Sequence, residues 1–318
     1  MEKYLITGFS GFVAKHFIEY LEKNNISAFV LGTDLVAPEF NINNFKSIKC
    51  KLKKLDLLNE KGLNDLVDNF NPDYILHLAS HSSVKFSWEN PTISFRNNTN
   101  IFLNLLESVR KTNITCRILS VGSSEEYGKS ATGVPLKEET ILKPLSPYAV
   151  ARVSQELLSK IYVEGLGLDV VMTRSFNHLG PGQKSSFVIA SIAKQLIEIK
   201  KGKTKNKALY VGNIHIKRDF LDVRDVVDAY YKLLKKGGKG KIYNVCSGKS
   251  TSLENIINMM CKILDLNIEI KINPELIRPN EIDEIVGSNE KIKRETGWIN
   301  QISLENSLKD VLSYWTTI

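Results

Sequence analysis

Short apolar runs recur along the first half of the chain, at Tyr4–Ile6, Ala28–Gly32, Ser47–Leu52, Tyr74–Ala79, Cys116–Val121 and Asp169–Arg174. Each has the length of a strand. Apolar residues at helical spacing fill most of the intervals: from Phe12 onward, over Leu57–Asn69, over Pro91–Lys111 and over Pro147–Leu166. Leu57–Asn69 stops at Asn71-Pro72, and Pro91–Lys111 carries Ile93, Ile101, Leu105, Leu106 and Val109 on its periodic face. Strands alternating with helices predict an α/β fold built on a doubly wound parallel sheet. In such a sheet ligands sit at the carboxyl ends of the strands.

The second half is less regular. Helices are predicted over Ser186–Lys200 and Val223–Lys235, and a strand over Lys241–Val245. The last two are expected to return to the first domain. Ser252–Leu264, Ile268–Ile272, Asn289–Thr296 and Leu304–Trp315 form a smaller mixed α/β lobe. The expected division is 1–176 with 222–246 as one unit, and 177–221 with 247–318 as the other. No linker rich in glycine and proline separates them, so two packed lobes with a cleft between are predicted.

The N-terminal stretch KYLITGFSGFVAK is a strand, a glycine turn and a helix start. Gly8, Gly11 and Ala14 recur at three-residue spacing, with Phe12 opening the helical pattern. Glycines there let backbone N–H groups approach a pyrophosphate, beside the positive end of a helix dipole. Alanine as the third small residue lets the helix pack close to the sheet. Asp34 ends the second strand, about 20 residues further on, where a carboxylate accepts hydrogen bonds from the adenosine ribose. The same carboxylate repels a 2′-phosphate, so NAD(H) is expected over NADP(H). Asp56 and Leu57, past the third strand, are placed to meet the adenine. Leu78 and Ala79, at the end of the fourth, are placed to line the cofactor site.

Composition changes this picture little. The chain has 318 residues, 42% of them hydrophobic and 25% charged, and a formal net charge of +8. That length allows one large or two small domains. Lysines are densest at Lys194–Lys207 and Lys235–Lys241, which reads as a solvated surface or as a basic cleft for an anionic nucleotide. No nucleic-acid recognition motif accompanies the charge. Cys50, Cys116, Cys246 and Cys261 show no paired spacing. Free thiols in a reducing, cytoplasmic setting are expected, with neither a metal site nor a disulfide framework. The N-terminus runs straight into the first strand, and no apolar run is long enough to cross a bilayer. No membrane partner is expected.

The fifth strand runs into GSSEEYG (Gly122–Gly128), and PLSPYAVAR follows at Pro144–Arg152. With the glycine turn upstream, this combination resembles the extended short-chain dehydrogenase/reductase family, the NAD-dependent epimerases and dehydratases. The resemblance covers essentially the whole chain and implies a Rossmann-type fold. It also implies that Ser123 and Tyr148 flank the nicotinamide. Moving hydride to or from a carbinol carbon requires a proton to move on its oxygen. A phenol of pKa about 10 is a poor base at neutral pH unless positive charge lies nearby. The family places a lysine one helical turn after the tyrosine; here Arg152 stands there. A guanidinium keeps the charge and can still hydrogen-bond a nicotinamide ribose, but it does not give up a proton.

Three further stretches are similar to the substrate-side motifs of the GDP-mannose 4,6-dehydratase and GDP-4-keto-6-deoxymannose reductase branch. They are RSFNHLGPGQ (Arg174–Gln183), KRDFLDVRD (Lys217–Asp225) and IRPNEI (Ile277–Ile282). The resemblance implies that Asn177, Arg218 and Arg278 hold the sugar diphosphate and that Glu281 holds the nucleotide ribose. Ser82 and Ser83 would touch the hexose, and Asn98 would prop the site. His81 and His178 read as packing or cleft-lining residues. Glu125 matches a glutamate that removes the C5 proton in dehydratases and that reductases also keep, so it serves either proton abstraction or orientation. The expected activity is hydride transfer at C4 of a GDP-linked manno-configured sugar, either as a 4-keto-6-deoxy sugar reductase or as a 4-dehydrogenase of a GDP-hexose or longer sugar. The alternatives are a 4,6-dehydratase that retains its NAD and a nucleotide-sugar epimerase. Homodimers or dimers of dimers, formed through the Pro91–Lys111 and Pro147–Leu166 helices, are the family expectation.

Overall fold

In this computed structural model, which describes residues 1–129, 133–204, 206–277 and 281–318, the first apolar run becomes β1 (Glu2–Thr7). Helix α1 (Phe12–Lys23) buries Ala14, Phe17, Ile18 and Leu21, a stripe at i, i+3, i+4 and i+7. β2 (Ala28–Asp34), β3 (Ile48–Lys54), α2 (Glu60–Phe70) and β4 (Tyr74–His77) follow. α2 starts three residues later than its apolar pattern, because Asn59 caps it with a side-chain bond from Gly62 N–H.

The helix expected over 91–111 is broken into parts. α3 (Val84–Glu89) precedes it, and α4 (Pro91–Phe95), a π-helical turn (Arg96–Asn100) and α5 (Ile101–Thr112) make it up. Asn90 ends α3 and starts α4, with Pro91 in the first turn. Proline suits a helix start and does not continue one. β5 (Arg117–Ser123), α6 (Pro147–Leu166) and β6 (Asp169–Ser175) complete the first half. Gly167, with φ of 73°, ends α6.

The remaining elements are β7 (Asn177–Leu179), α7 (Val188–Lys200), β8 (Ala208–Val211), β9 (Lys217–Asp222), α8 (Val223–Lys236), β10 (Ile242–Val245), β11 (Ser250–Ser252), α9 (Leu253–Leu264), β12 (Glu269–Ile272), β13 (Glu284–Ile285), α10 (Glu290–Thr296) and α11 (Leu304–Thr317). The main sheet has seven parallel strands in the order β10-β6-β5-β4-β1-β2-β3. One face packs on α1 and α8 through Phe17, Tyr230 and Leu233. The other packs on α2 and α5 through Leu66, Phe102 and Leu105. Strand order reverses at β1, which lies between β2 and β4, so the crevice at its carboxyl end is the topological switch point.

The second lobe pairs β9 with β7, β11 and β13, and β8 with β12. α7, α9 and α11 close a separate core around Leu196, Phe220, Ile256 and Leu308. β9 reads KRDFLD, yet it is buried at all but its first residue. Its Asp219 is satisfied there by Ser247 N–H and Oγ–H, Gly248 N–H and Gly287 N–H. A charged strand of this kind carries no alternating pattern, which is why periodicity did not predict it. Among the described residues, no helix is long and apolar enough to cross a membrane.

Candidate active site

Gly8 has φ of 70°, and a Cβ built on it would lie 2.7 Å from the backbone N of Ala79. The glycine turn is therefore pressed against the chain leaving β4. Gly11 caps α1 without any side-chain bond to the helix's first N–H groups. Among the described residues no side chain caps those donors at the switch point, the arrangement that receives a phosphate. The Asp34 carboxylate is half-buried beside them. It accepts Ser10 N–H on Oδ2 at 2.9 Å and Leu35 N–H on Oδ1 at 2.7 Å. Oδ1 also accepts Val36 N–H at 3.5 Å, and Oδ2 keeps a lone pair for a further donor. The open backbone donors of the glycine turn and the carboxylate beside them are chemistry that fits the phosphates and ribose of a dinucleotide.

Asp56 is exposed, and its Oδ1 accepts Leu58 N–H; Leu57 is buried under α2. Leu78 and Ala79 are half-buried at the crevice. Beneath them Thr7 Oγ1 lies 2.9 Å from His77 Nδ1 and accepts Ala79 N–H. Burial, with the Arg152 charge adding to it, pushes the His77 imidazole down to about 3. Burial thus favours the neutral imidazole at His77.

The π-helical turn puts Asn98 inside the protein. Its Oδ1 accepts His81 N–H at 3.0 Å, and its Nδ2 donates to Ser94 O at 2.8 Å. The loop after β4 is thereby fixed. That loop carries Ser82 and Ser83, both exposed. Ser83 Oγ also caps α3 by accepting Phe86 N–H. His81 stacks on Phe86, and half-buried His178 stacks on Phe12 at the start of α1.

Ser123 ends β5, half-buried. Its Oγ accepts Glu125 N–H, and its own N–H donates to Glu126 Oε1 at 2.7 Å. Glu126 is fully buried. Burial and the neighbouring Glu156 carboxylate raise its carboxyl above the ordinary range. A Cβ at Gly122 would meet Glu126 Oε1 at 2.4 Å, so a glycine there makes room for this carboxyl. Glu156 is itself paired with Arg174 at 2.8 Å and with Lys160. Glu125 is half-buried beside Ser123.

Tyr148 and Arg152 lie in the first turns of α6, at 6% and 5% exposure, so neither points to solvent. Arg152 Nε donates to the Tyr148 phenol oxygen at 3.2 Å. Its Nη1 donates to Val121 O at 3.1 Å and Gln155 Oε1 at 2.6 Å. Gln155 and Glu126 are the two residues that motif reading passed over. Their signal was position alone: one turn past the cation, and three residues past the serine.

On the substrate side, Asn177 opens β7, half-buried. Arg218 lies on β9 and donates to Lys217 O. Glu281 Oε2 is buried with no hydrogen-bond partner among the described residues. Arg278 lies outside the described residues.

A family model described as GDP-mannose 4,6 dehydratase matches residues 5–311. The chain belongs to that family. Like other members of the GDP-mannose 4,6-dehydratase family, it is an enzyme of the extended short-chain dehydrogenase/reductase type that works with a nicotinamide dinucleotide. It is 35% identical to GDP-6-deoxy-D-mannose reductase of Pseudomonas aeruginosa, over 99% of this chain and 97% of that protein. It is 28% identical to GDP-6-deoxy-D-talose 4-dehydrogenase of Aggregatibacter actinomycetemcomitans, over 93% of this chain and 91% of that one. The solved structure of RMD from Pseudomonas aeruginosa, complexed with NADPH, superposes with a TM-score of 0.86 at 33% identity, covering 100% of both chains.

Proposed function

We propose that this enzyme is an NAD-dependent oxidoreductase acting at C4 of a GDP-linked, manno-configured sugar. The observation that carries the reading is the buried Arg152–Tyr148 pair beside the open glycine cradle. Bound in that cradle, the dinucleotide supplies or accepts the hydride. Tyr148 exchanges the proton on O4, Ser123 hydrogen-bonds O4, and Arg152 holds permanent charge beside the phenol. Asn177, Arg218 and Arg278 take the diphosphate, arginine forks suiting paired phosphate oxygens. The Glu281 oxygen that has no partner among the described residues is an acceptor for the nucleotide ribose. Ser82 and Ser83 face the hexose. Residues 1–176 with 222–246 form the dinucleotide unit, and 177–221 with 247–318 the sugar unit.

The Asp34 carboxylate favours NAD over NADP, although the Pseudomonas relative was solved with NADPH. Cellular NAD is mostly oxidised, which favours oxidation of a C4 hydroxyl; the 4-dehydrogenase relative supports that direction, and the reductase relative supports the reverse. Glu125 beside Ser123 keeps a second reading open, a 4,6-dehydratase with retained NAD. The protein is read as cytoplasmic, in keeping with four free cysteines.

A second copy of the chain is the partner we assign to the outer face of α6. Val150, Leu157 and Ile161 form an exposed apolar stripe there. A groove of about 940 Å³ lined by Trp88, Phe95, Leu145 and Val150 continues it.

The test is direct. Purified protein is scanned for bound NADH, then mixed with GDP-mannose and with GDP-linked 6-deoxy, 4-keto-6-deoxy and longer sugars, with NAD or NADH. Nicotinamide absorbance reports net redox, and mass spectrometry reports loss of water. Turnover that releases water with no net change in nicotinamide absorbance, C4 ending as a ketone and C6 as a methyl group, replaces this reading with the lyase. No turnover of any GDP-sugar ends both.

A further inference from the structure

The geometry points to Gln155 as the residue that positions Arg152, making the cation site one built for a guanidinium. Gln155 lies three residues after Arg152 on α6 and is 1% exposed. Its Oε1 accepts Arg152 Nη1–H at 2.6 Å. Its Nε2 donates to Ser120 Oγ at 2.8 Å and to Val121 O at 3.2 Å. Ser120 Oγ in turn lies 3.3 Å from Ser159 Oγ. The amide therefore has one satisfied orientation: both acceptors lie on its NH2 side and the cation on its oxygen side. A flipped amide would set NH2 against the guanidinium.

Burial makes this bond matter. A buried charge must be held by acceptors. Gln155 supplies one without a negative charge, so the Arg152 charge is not cancelled on that side. Val121 O accepts from both Arg152 and Gln155, which locks the fork's plane to the end of β5. With Nη1 fixed by two acceptors, Nε is aimed at Tyr148. No hydrogen bond from Nη2 to the described residues is among those that fix the fork, which leaves it as the donor for a ribose hydroxyl. An ammonium is a point donor on a flexible stem and cannot make this bidentate, planar arrangement. Gln155 touches neither substrate nor dinucleotide. It acts through Arg152.

This inference rests on the reading of Tyr148 as acid/base, and the experiment separates the two. Gln155→Met keeps the volume and removes the amide. The expected result is a kcat lower by about tenfold or more, with KM for the sugar within about twofold, as loss of a charge-assisted bond predicts. NADH affinity, followed by fluorescence, weakens by several-fold. Combining Gln155→Met with Arg152→Lys costs no more than the worse single change, because both remove the same interaction. A kcat and an NADH affinity both at the wild-type level would overturn the inference, and so would two effects that multiply. If Gln155→Met does not fold, Ser120→Ala carries the same test with a smaller drop of the same sign. If the wild-type protein turns over no GDP-sugar, the functional reading fails, and NADH affinity alone then decides for or against Gln155.

Discussion

Asp34 at the end of β2 accepts the backbone N–H of Ser10 at 2.9 Å, within the glycine turn after β1. The acid proposed to select the ribose is thus tied to the loop proposed to hold the phosphates. Its position is set by backbone, not by a mobile side chain. A 2′-phosphate would have to sit against this carboxylate.

Asp34→Ala is expected to do two things. NAD affinity falls, since the ribose hydroxyls lose a charged acceptor and the turn loses a tie. The preference for NAD over NADP shrinks by about tenfold or more, in line with about 1.5–3 kcal/mol for a hydrogen bond to a charged group. Paired kcat/KM values with the two dinucleotides check it. Tighter NAD binding in the variant would contradict the assignment.

Tyr148→Phe removes one oxygen from a site whose packing is otherwise unchanged. Loss of a general acid/base costs about 10²–10⁴ in rate. The drop is expected in kcat, with dinucleotide affinity near wild type, because the cradle at Gly8 and Gly11 is untouched. Unchanged turnover would show that the O4 proton takes another route.

Gly8→Ala tests the cradle. The position has φ of 70°, and the added Cβ would come within 2.7 Å of Ala79 N. Backbone in that region costs about 1–3 kcal/mol for a residue with a side chain. The clash adds to it by moving the turn off β4. The expected variant melts several degrees lower and no longer retains dinucleotide on a desalting column. Full retention would mean the phosphates are held elsewhere.

What the sequence disclosed and what it hid follow from the same physics. β1, β2 and β6 are apolar because both faces of the sheet are covered, so their runs were legible. α6 was legible residue for residue, from Pro147 at its start to the glycine after Leu166. β9 was not, because Arg218, Asp219 and Asp222 are charged and buried together, and Asp219 is held by Ser247, Gly248 and Gly287, distant in sequence. The site divides the same way. Ser123, Tyr148 and the glycine turn stand in local motifs. Glu126 and Gln155 have roles fixed only when β5, α6 and β6 are side by side, since Gln155 bonds Ser120, 35 positions earlier. The π-helical turn that buries Asn98 left no mark in the apolar spacing of 91–111.

The apolar stripe on α6 predicts association. Val150, Leu157 and Ile161 recur about every two and then one helical turns, 44%, 51% and 61% exposed. A patch of this kind, continuous with a groove, marks a protein interface. Leu157→Glu would bury a charge in that interface but leave the monomer's core alone. Light scattering is expected to give a dimer or larger for the wild type and a monomer for the variant, with little change in melting temperature at low concentration. A wild-type monomer at micromolar concentration would remove the second copy from the picture.

The last prediction concerns Glu126 and stability. Its carboxyl is raised above its ordinary value of 4.5 by burial first and by the Glu156 carboxylate second. One oxygen accepts Ser123 N–H; the other has no hydrogen-bond partner among the described residues and lies 3.9 Å from Arg174 Nε. Above pH 4.5 the unfolded chain gives up this proton while the folded chain holds it. The folded state then binds more protons, so stability must fall as pH rises through that window. It levels off once the folded carboxyl also ionises. Glu126→Gln keeps an acceptor for Ser123 N–H and cannot ionise. Its melting temperature is expected to be flatter than that of the wild type between mildly acidic and mildly alkaline pH, with the advantage growing toward the alkaline end. Denaturation scans at matched ionic strength measure it. A variant that tracks the wild type in parallel across the range would show that Glu126 is already ionised in the fold, with Arg174 and not a retained proton offsetting its burial.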